Sequence, residues 1–532
     1  MEKIKKHILF ILTFSLLFLS IPAETLTNPL LPADTPHINA NNTKSPITTA
    51  TTEITEYPKN QVNPLWWDEA IYMGLAESLY QNRRYTFNFG NQESFRPPMY
   101  PLILAALFAI TGPSEITPIY LNILIALLTA ITTYLLAKEL FSCKKISTAS
   151  AILAVTSQQY IFWSSKILTE PLAILLTTLS LLIFTRITKN KSTALYPLLG
   201  FILALAFLTR YLLGLLPIYF GLWLLATDRN YIKENRKKIM QCLTIFLLIL
   251  SPWMYQSCIA YNHPFGSALS NIHQVNDLYE PEPKTYYLSN LYTYLPYLGP
   301  LFTLGILLSI LTKKSKDTKI KTYPVIGRAG TQGRVSQNTK ADIDNTTKKE
   351  QYFLIGWFAM TLLLLSFGIG QKYIRYLLIA LPAIAIISAK ALNDIAGAIT
   401  KKHANLILAL LIFAITIPGA QAGLTTATQN KEDSIILRQA ADYIKAHSGP
   451  GDSIMSENYA LFHYYTKQHV IGYPKDPQAI GEFIKRYNVS YLVVENSIYY
   501  PEYLKHHFDK TPGFTKEYEN HEKDHYIKLY SV

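Results

Sequence analysis

The sequence predicts an α-helical polytopic membrane protein with about eleven transmembrane helices, interfacial helices in its first outer loop and a small C-terminal α/β extracytoplasmic domain. Three observations carry that prediction. The chain is 49% hydrophobic and only 16% charged, and its apolar residues fall in runs of roughly 16 to 21, long enough to cross a hydrocarbon core of about 30 Å. Its basic residues collect in short loops between those runs, as the cytoplasmic bias of Lys and Arg predicts. From Gln421 onward the long apolar runs stop, and short helix-like and strand-like patterns alternate instead.

Taken in order, residues 1–24 pair a basic start (Lys3, Lys5, Lys6) with an apolar run from Ile8 to Ile21. Ala23 suits a signal-peptide cleavage site, but Ile21 two residues earlier is not small, so an uncleaved transmembrane anchor with a cytoplasmic N-terminus is preferred over a cleaved signal. Residues 25–62, rich in Thr, Pro and Asn, cannot bury a core and read as an extracytoplasmic linker. The multi-spanning region is expected over 63–420, beginning with an outer loop over 63–116. Spans are expected near 117–137, 147–163, 167–186, 194–209, 211–227, 240–258, 291–311, 352–369, 376–391 and 404–420. Pro97 to Ile110 is short and opens with Pro97, Pro98 and Pro101, residues tolerated at a helix start but not inside, and reads as an interfacial helix.

Charge tests this topology, because moving one segment into the membrane inverts every later loop. If Pro97 to Ile110 does not cross, the cytoplasmic loops hold Lys138, Lys144 and Lys145, then Lys189 and Lys191, then Arg229, Lys233, Arg236, Lys237 and Lys238. Ten basic residues between Lys313 and Lys349, then Lys401 and Lys402, fall on the same side. The 312–350 loop is polar and basic and reads as flexible. The tail, 421–532, falls outside. There Ile435 to His447, Ala460 to Lys467 and Gln478 to Tyr487 read as helices, and Ser453 to Ser456, His469 to Tyr473 and Val489 to Glu495 as strands.

The formal charge of +13 would suggest nucleic acid in a soluble protein, but the location of the cations in loops between spans excludes that reading. Three cysteines, Cys143, Cys242 and Cys258, lie in or beside apolar segments without metal-ligand spacing, so they predict neither a disulfide framework nor a zinc site.

The few charges on the outer side are isolated at membrane depth, where they are costly and tend to serve function. Asp68 and Glu69 open a helix-like segment after Trp66 and Trp67. They read either as an N-cap and first-turn acid with interfacial tryptophans, or as a general base for an acceptor hydroxyl with its neighbour. Arg96 precedes Pro97 and Pro98, where it can snorkel to lipid phosphate or bind a specific one. Lys166 and Glu170 are four residues apart and can pair on one helix face. Lys372 and Arg375 share a very short outer loop and suit a phosphoryl group, the arginine as a fork and the lysine as a point charge. Arg210, between two apolar runs, can join them or cap its own hairpin.

With these residues in this order, the chain resembles the C-type membrane glycosyltransferases that use polyprenyl-phosphate sugars, the superfamily of protein O-mannosyltransferases and aminoarabinose transferases. The resemblance covers about residues 60–420. It rests on Asp68-Glu69 within Trp-Asp-Glu-Ala-Ile-Tyr72, on Arg96-Pro97-Pro98, on Thr169-Glu170-Pro171, and on Arg375-Tyr376-Leu377-Leu378 with Lys372 just before it. It implies an inverting transfer to a hydroxyl at the outer face of the membrane, with Asp68 as catalytic base. Glu69 and Glu170 would position the acceptor or a metal, and Lys372, Arg375, Arg96 and Arg210 would bind the donor phosphate. No cofactor is certain; relatives often carry Asp at the Glu170 position and only some use a metal, so a divalent metal at Glu69 and Glu170 stays open. The implied partners are a polyprenyl-phosphate-linked sugar, a protein, lipid or glycan acceptor, and membrane lipids. Two readings from other classes are a secondary transporter, which commonly shows internal repeats that are not visible here, and a membrane anchor displaying the tail as a binding module.

Overall fold

The computed structural model describes residues 65–190, 192, 194–271, 282–311, 340–429, 432–474, 476–496, 504, 508–522 and 525–532. The expected anchor at 1–24, the linker at 25–62 and most of the 312–350 loop lie outside the described residues.

The segment over 65–116 folds around the expected helices α1 (Trp67–Asn82) and α2 (Met99–Thr111), with a two-stranded hairpin of β1 (Thr86–Phe87) and β2 (Asn91–Gln92) between them that the sequence did not announce. Helix α2 starts directly after Pro98, so the proline-rich run lies where missing N–H groups cost nothing. Helices α1 and α2 pack on each other through Tyr72 and Tyr100, whose rings meet edge to face.

Apolar helices follow in the expected order: α3 (Thr117–Phe141), α4 (Lys144–Val155), α5 (Gln158–Ser164), α6 (Glu170–Asn190), α7 (Leu195–Thr209), α8 (Leu215–Thr227), α9 (Arg236–Tyr261), α10 (Leu298–Leu311), α11 (Lys340–Gly368), α12 (Leu381–Ile399) and α13 (Ala404–Gln429). Among the described residues six helical segments are long and apolar enough to cross a membrane, while Met99–Thr111, Leu195–Thr209, Tyr211–Thr227 and Leu298–Leu311 are apolar but shorter. The protein is a multi-pass membrane protein by this composition.

Two expected spans are broken rather than continuous. The 147–163 stretch divides into α4 and α5 at Thr156–Ser157, where the Ser157 side chain caps the new helix by accepting from the Tyr160 amide. The 291–311 stretch starts as one short turn, Leu291–Tyr294, and restarts at α10 beyond Pro296.

Burial sorts these helices into layers. The apolar windows of Glu170–Lys189 and Ile374–Ile399 are 83% buried, which places α6 and α12 at the centre, whereas Ala404–Thr428 is only 22% buried. On α13 the exposed side chains Leu406, Leu410, Phe413 and Ile417 recur at helical spacing and form an apolar stripe suited to lipid. In the centre, α12 packs on α4 and α10, and α6 packs on α3 and α7.

The tail contains α14 (Glu432–His447), β3 (Ser453–Met455), α15 (Tyr459–Thr466), β4 (His469–Ile471), α16 (Ile480–Tyr487), β5 (Val489–Glu495), β6 (Thr515–Glu522) and β7 (His525–Ser531). Its sheet has the order β4-β3-β5-β7-β6, with β3 parallel to β4 and β5, and β7 antiparallel to β5 and β6. The β6–β7 hairpin was not anticipated; β6 in particular carries Lys, Glu, Asn and His where an apolar alternation would announce a strand.

The tail is clamped onto the 65–116 segment. The Leu65 amide donates to the Tyr465 hydroxyl at 2.8 Å, and Glu77 accepts from Tyr464 and Lys467 at 3.2 and 2.6 Å. Asn88 exchanges both amide bonds with the Val470 backbone, at 2.6 and 3.1 Å. Arg438 pairs with Glu115 at 3.4 Å.

Candidate active site

Five of the residues singled out from the sequence meet at the ends of five elements. Asp68 lies in the first turn of α1, Arg96 at the entry to α2, Glu170 at the first position of α6, Arg210 at the break between α7 and α8, and Arg375 in the 3-10 turn Ile374–Ala380 that feeds α12. Both carboxylates thus sit at helix N-termini, where unpaired N–H groups favour negative charge.

Asp68 is held from two sides. Its Oδ1 accepts from Arg96 Nη2 at 3.2 Å, and its Oδ2 accepts from Arg375 Nη1 and Nη2, each at 3.2 Å. Glu170 Oε1 lies 2.7 Å from Arg210 Nη1 and 3.7 Å from Arg375 Nε. Glu170 therefore neutralises both guanidiniums, Arg210 closely and Arg375 at longer range. The result is a chain of charges, Arg96–Asp68–Arg375–Glu170–Arg210, walled by aromatic rings. Arg375 lies 5.1 to 5.7 Å from the ring centres of Trp163, Tyr373 and Tyr376, and Arg210 lies 5.0 Å from that of Tyr376.

Burial alone would push the Asp68 carboxyl up, but the Arg375 and Arg96 guanidiniums outweigh it and hold the group below its ordinary value. Asp68 is therefore an anion in the resting site, with 30% of its side chain exposed, while Glu170 is 3% exposed.

Other expected residues are not part of this cluster. Glu69 is buried, and its two oxygens accept from the backbone amides of Trp66 at 2.7 Å and Ile167 at 2.6 Å. Burial pushes its carboxyl up against the pull of Lys166 and those amides. It therefore ties the start of α1 to the loop before α6. Lys166 precedes the helix that begins at Glu170, so the two do not share a helix face, and its ammonium lies 3.8 Å from the Trp66 ring centre. Lys372 also points elsewhere, donating to the carbonyls of Glu282, Ile369 and Gly370 at 3.0, 3.0 and 3.3 Å. It is buried by those carbonyls, where it closes the C-terminal end of α11.

Glu93 was missed by sequence reasoning. Its Oε1 accepts from the amides of Phe95 and Arg96 at 2.7 and 3.1 Å, and its Oε2 lies 3.4 Å from Arg96 Nη1. The signal was present as an acid three residues before Arg96. Tyr459 was also missed: it opens α15 in the tail, and its ring meets Trp67, the neighbour of Asp68, with ring centres 4.5 Å apart. Nothing local in the sequence marks that contact.

The residues do not suit a metal. Glu69 spends both oxygens on amides, Asp68 and Glu170 face guanidiniums, and among the described residues no group of three His, Cys, Asp or Glu side chains gathers.

Comparisons with known proteins bear on the fold that carries this geometry. The sequence profile of the dolichyl-phosphate-mannose-protein mannosyltransferase family matches residues 95–255. No curated protein matches the chain. Among solved structures, ArnT from Cupriavidus metallidurans bound to undecaprenyl phosphate is similar with a TM-score of 0.62 at 12% identity, covering 88% of this chain and 94% of that one. The Archaeoglobus fulgidus oligosaccharyltransferase in complex with zinc and sulfate is similar at 0.57 and 14% identity, over 82% of this chain and 65% of that one. The arabinofuranosyltransferase AftD from Mycobacteria is similar at 0.53 and 13% identity, over 89% of this chain and 38% of that one. At these identities the likeness speaks for a shared fold.

Proposed function

We propose that this chain, a membrane glycosyltransferase with the C-type fold, moves a sugar from a polyprenyl-phosphate donor to a hydroxyl acceptor at the outer face of the membrane. The observation that carries this reading is the meeting of Asp68 and Arg375, 307 residues apart in the chain and 3.2 Å apart in space. It sets an anionic base beside an arginine suited to phosphate, at the ends of apolar helices.

In this reading the acceptor O–H gives its proton to the Asp68 carboxylate as its oxygen attacks the anomeric carbon. The bond from that carbon to the phosphate oxygen breaks, and the electron pair leaves with the lipid phosphate, so configuration inverts. Arg375 and Arg210 stabilise the departing charge, and Arg96 orients the base. Glu170 keeps the two late arginines in place, Glu69 fixes the loops behind the site, and Lys372 holds the turn that carries Arg375. No step needs a nucleotide.

The matching topology comprises about eleven crossings, counting the 1–24 anchor. The N-terminus and the 312–350 loop are cytoplasmic, and the 25–62 linker, the first loop at 63–116 and the tail at 421–532 are outside. A transporter would place its charges on broken helices at mid-membrane, whereas these charges sit at helix ends. Incubating the purified chain with a panel of polyprenyl-phosphate sugars and following release of free lipid phosphate tests the reading. One productive donor is expected, and no release from any donor with a hydroxyl acceptor present would contradict it.

A further inference from the structure

We propose that Asp68 and the donor phosphate compete for the same edge of Arg375, so that donor binding itself sets the base free. The inference rests on the glycosyltransferase reading above and adds an order of events to it.

Geometry shows which edge is at stake. Arg375 turns its two terminal nitrogens to one oxygen of Asp68, at 3.2 Å each, and its Nε toward Glu170 at 3.7 Å. The terminal pair is the fork that a phosphate oxygen would occupy. In the resting site that fork is filled by the carboxylate expected to act as base.

Charge balance then requires an exchange. Three arginines, Arg96, Arg210 and Arg375, face three carboxylates, Asp68, Glu93 and Glu170. An incoming phosphate adds negative charge to a matched, largely buried set, so one carboxylate has to give way. Asp68 is the loosest of the three. Its side chain is 30% exposed, against 12% for Glu93 and 3% for Glu170. Glu93 is also tied to two backbone amides, and Glu170 to Arg210 at 2.7 Å. Every ion contact of Asp68 is 3.2 Å.

The exchange couples binding to reactivity. While Arg375 holds Asp68, the carboxylate is stabilised as an anion and is a poor proton acceptor. Once the fork passes to the phosphate, Asp68 keeps only Arg96 and becomes a stronger base beside the acceptor. Glu170 and Arg210 remain behind Arg375, so the guanidinium can change partners without leaving the site. An enzyme built this way activates its base only with donor in place.

The test is the affinity of the purified full chain in detergent for a water-soluble short-chain prenyl phosphate, by calorimetry at fixed salt and pH. Asp68→Asn removes the competitor, and binding is expected to tighten about tenfold over the unmodified chain. Asp68→Ser, which withdraws the group altogether, is expected to tighten it likewise, so failure of one variant to fold leaves the other. Arg375→Gln is expected to weaken binding about tenfold or more. Cooperative melting confirms that each variant is folded. Unchanged or weaker binding by folded Asp68 variants, with the unmodified chain binding normally, overturns the exchange and leaves the donor reading intact. No binding by any form overturns both, whereas sugar transfer by Asp68→Asn at the rate of the unmodified chain would overturn the assignment of the base.

Discussion

Asp68 carries most of the chemistry assigned to this protein, and its surroundings make its titration a usable signature. Because Arg375 and Arg96 hold its carboxyl below the ordinary value of 3.8, the anion persists in acid, and kcat/KM should fall only as pH drops below that value. The same sign applies to stability: the Asp68 contribution is present above 3.8 and is lost as pH falls through the lower folded value. Replacing Asp68 by Asn is expected to lower kcat by about 10²- to 10⁴-fold, the usual range for a lost general base, with melting behaviour retained. Glu170→Gln is a different experiment. It leaves two arginines facing a neutral partner in a site where Glu170 is 3% exposed, and is expected to cost about 3 kcal/mol, read as a lowered Tm. At this scale the sequence marked Asp68, Arg96, Glu170, Arg210 and Arg375 as isolated charges beside apolar runs. It did not tell where Lys166 and Lys372 turn, because spacing reports who can be neighbours along the chain but not which carbonyls or rings lie across from them.

Among the elements, the docking of the tail on the 65–116 segment is the feature with the clearest consequences. His463 of α15 accepts from the Asn88 amide through Nε2 at 3.1 Å and uses Nδ1 on the Gln468 carbonyl at 2.7 Å. That arrangement fits the neutral ring, with the proton on Nδ1. Burial pushes the ring down to about 4 from 6.5. A lowered histidine is neutral when folded and protonates more readily when released. Stability from this group is therefore full above about pH 6.5 and is lost as pH falls toward 4, by roughly 2 kcal/mol. His463→Gln is expected to flatten the dependence of Tm on pH between those values, and an unchanged slope would contradict the role. Glu495, at the end of β5, has the opposite sign. Burial pushes its carboxyl up to about 7 from 4.5, so it destabilises the tail as pH rises through that interval. Glu495→Gln keeps an acceptor for the Asn458 amide, which lies at 2.6 Å, and is expected to raise Tm at pH 8.

The helices and strands themselves were readable to different degrees. Each described span fell where an apolar run predicted it, since the hydrophobic period is local. The breaks at Ser157 and Pro296 were not read as breaks, because an apolar run stays apolar across them. β6 escaped because an edge strand beside β7 is selected by pairing rather than by its own alternation.

Across the whole molecule, the 65–116 segment, the late arginine turn and the tail form one assembly around Asp68. Burial places α6 and α12 at the centre, and both begin at the site, with Glu170 at the first residue of α6 and Arg375 in the turn before α12. The charge pattern of the loops predicted that the early acids and the late cations lie on one side of the membrane. That they touch could not be read from the chain, because contact over 307 residues depends on how central helices pack. The most direct measurement is a crosslink. With Cys143, Cys242 and Cys258 replaced by Ala, Asp68→Cys is combined with Arg375→Cys, and intact cells are treated with a short membrane-impermeant bifunctional thiol reagent. An intramolecular bridge between the two positions without permeabilisation is the predicted result. A bridge that needs permeabilised cells, or reaction at both positions with no bridge between them, would contradict the shared outer site.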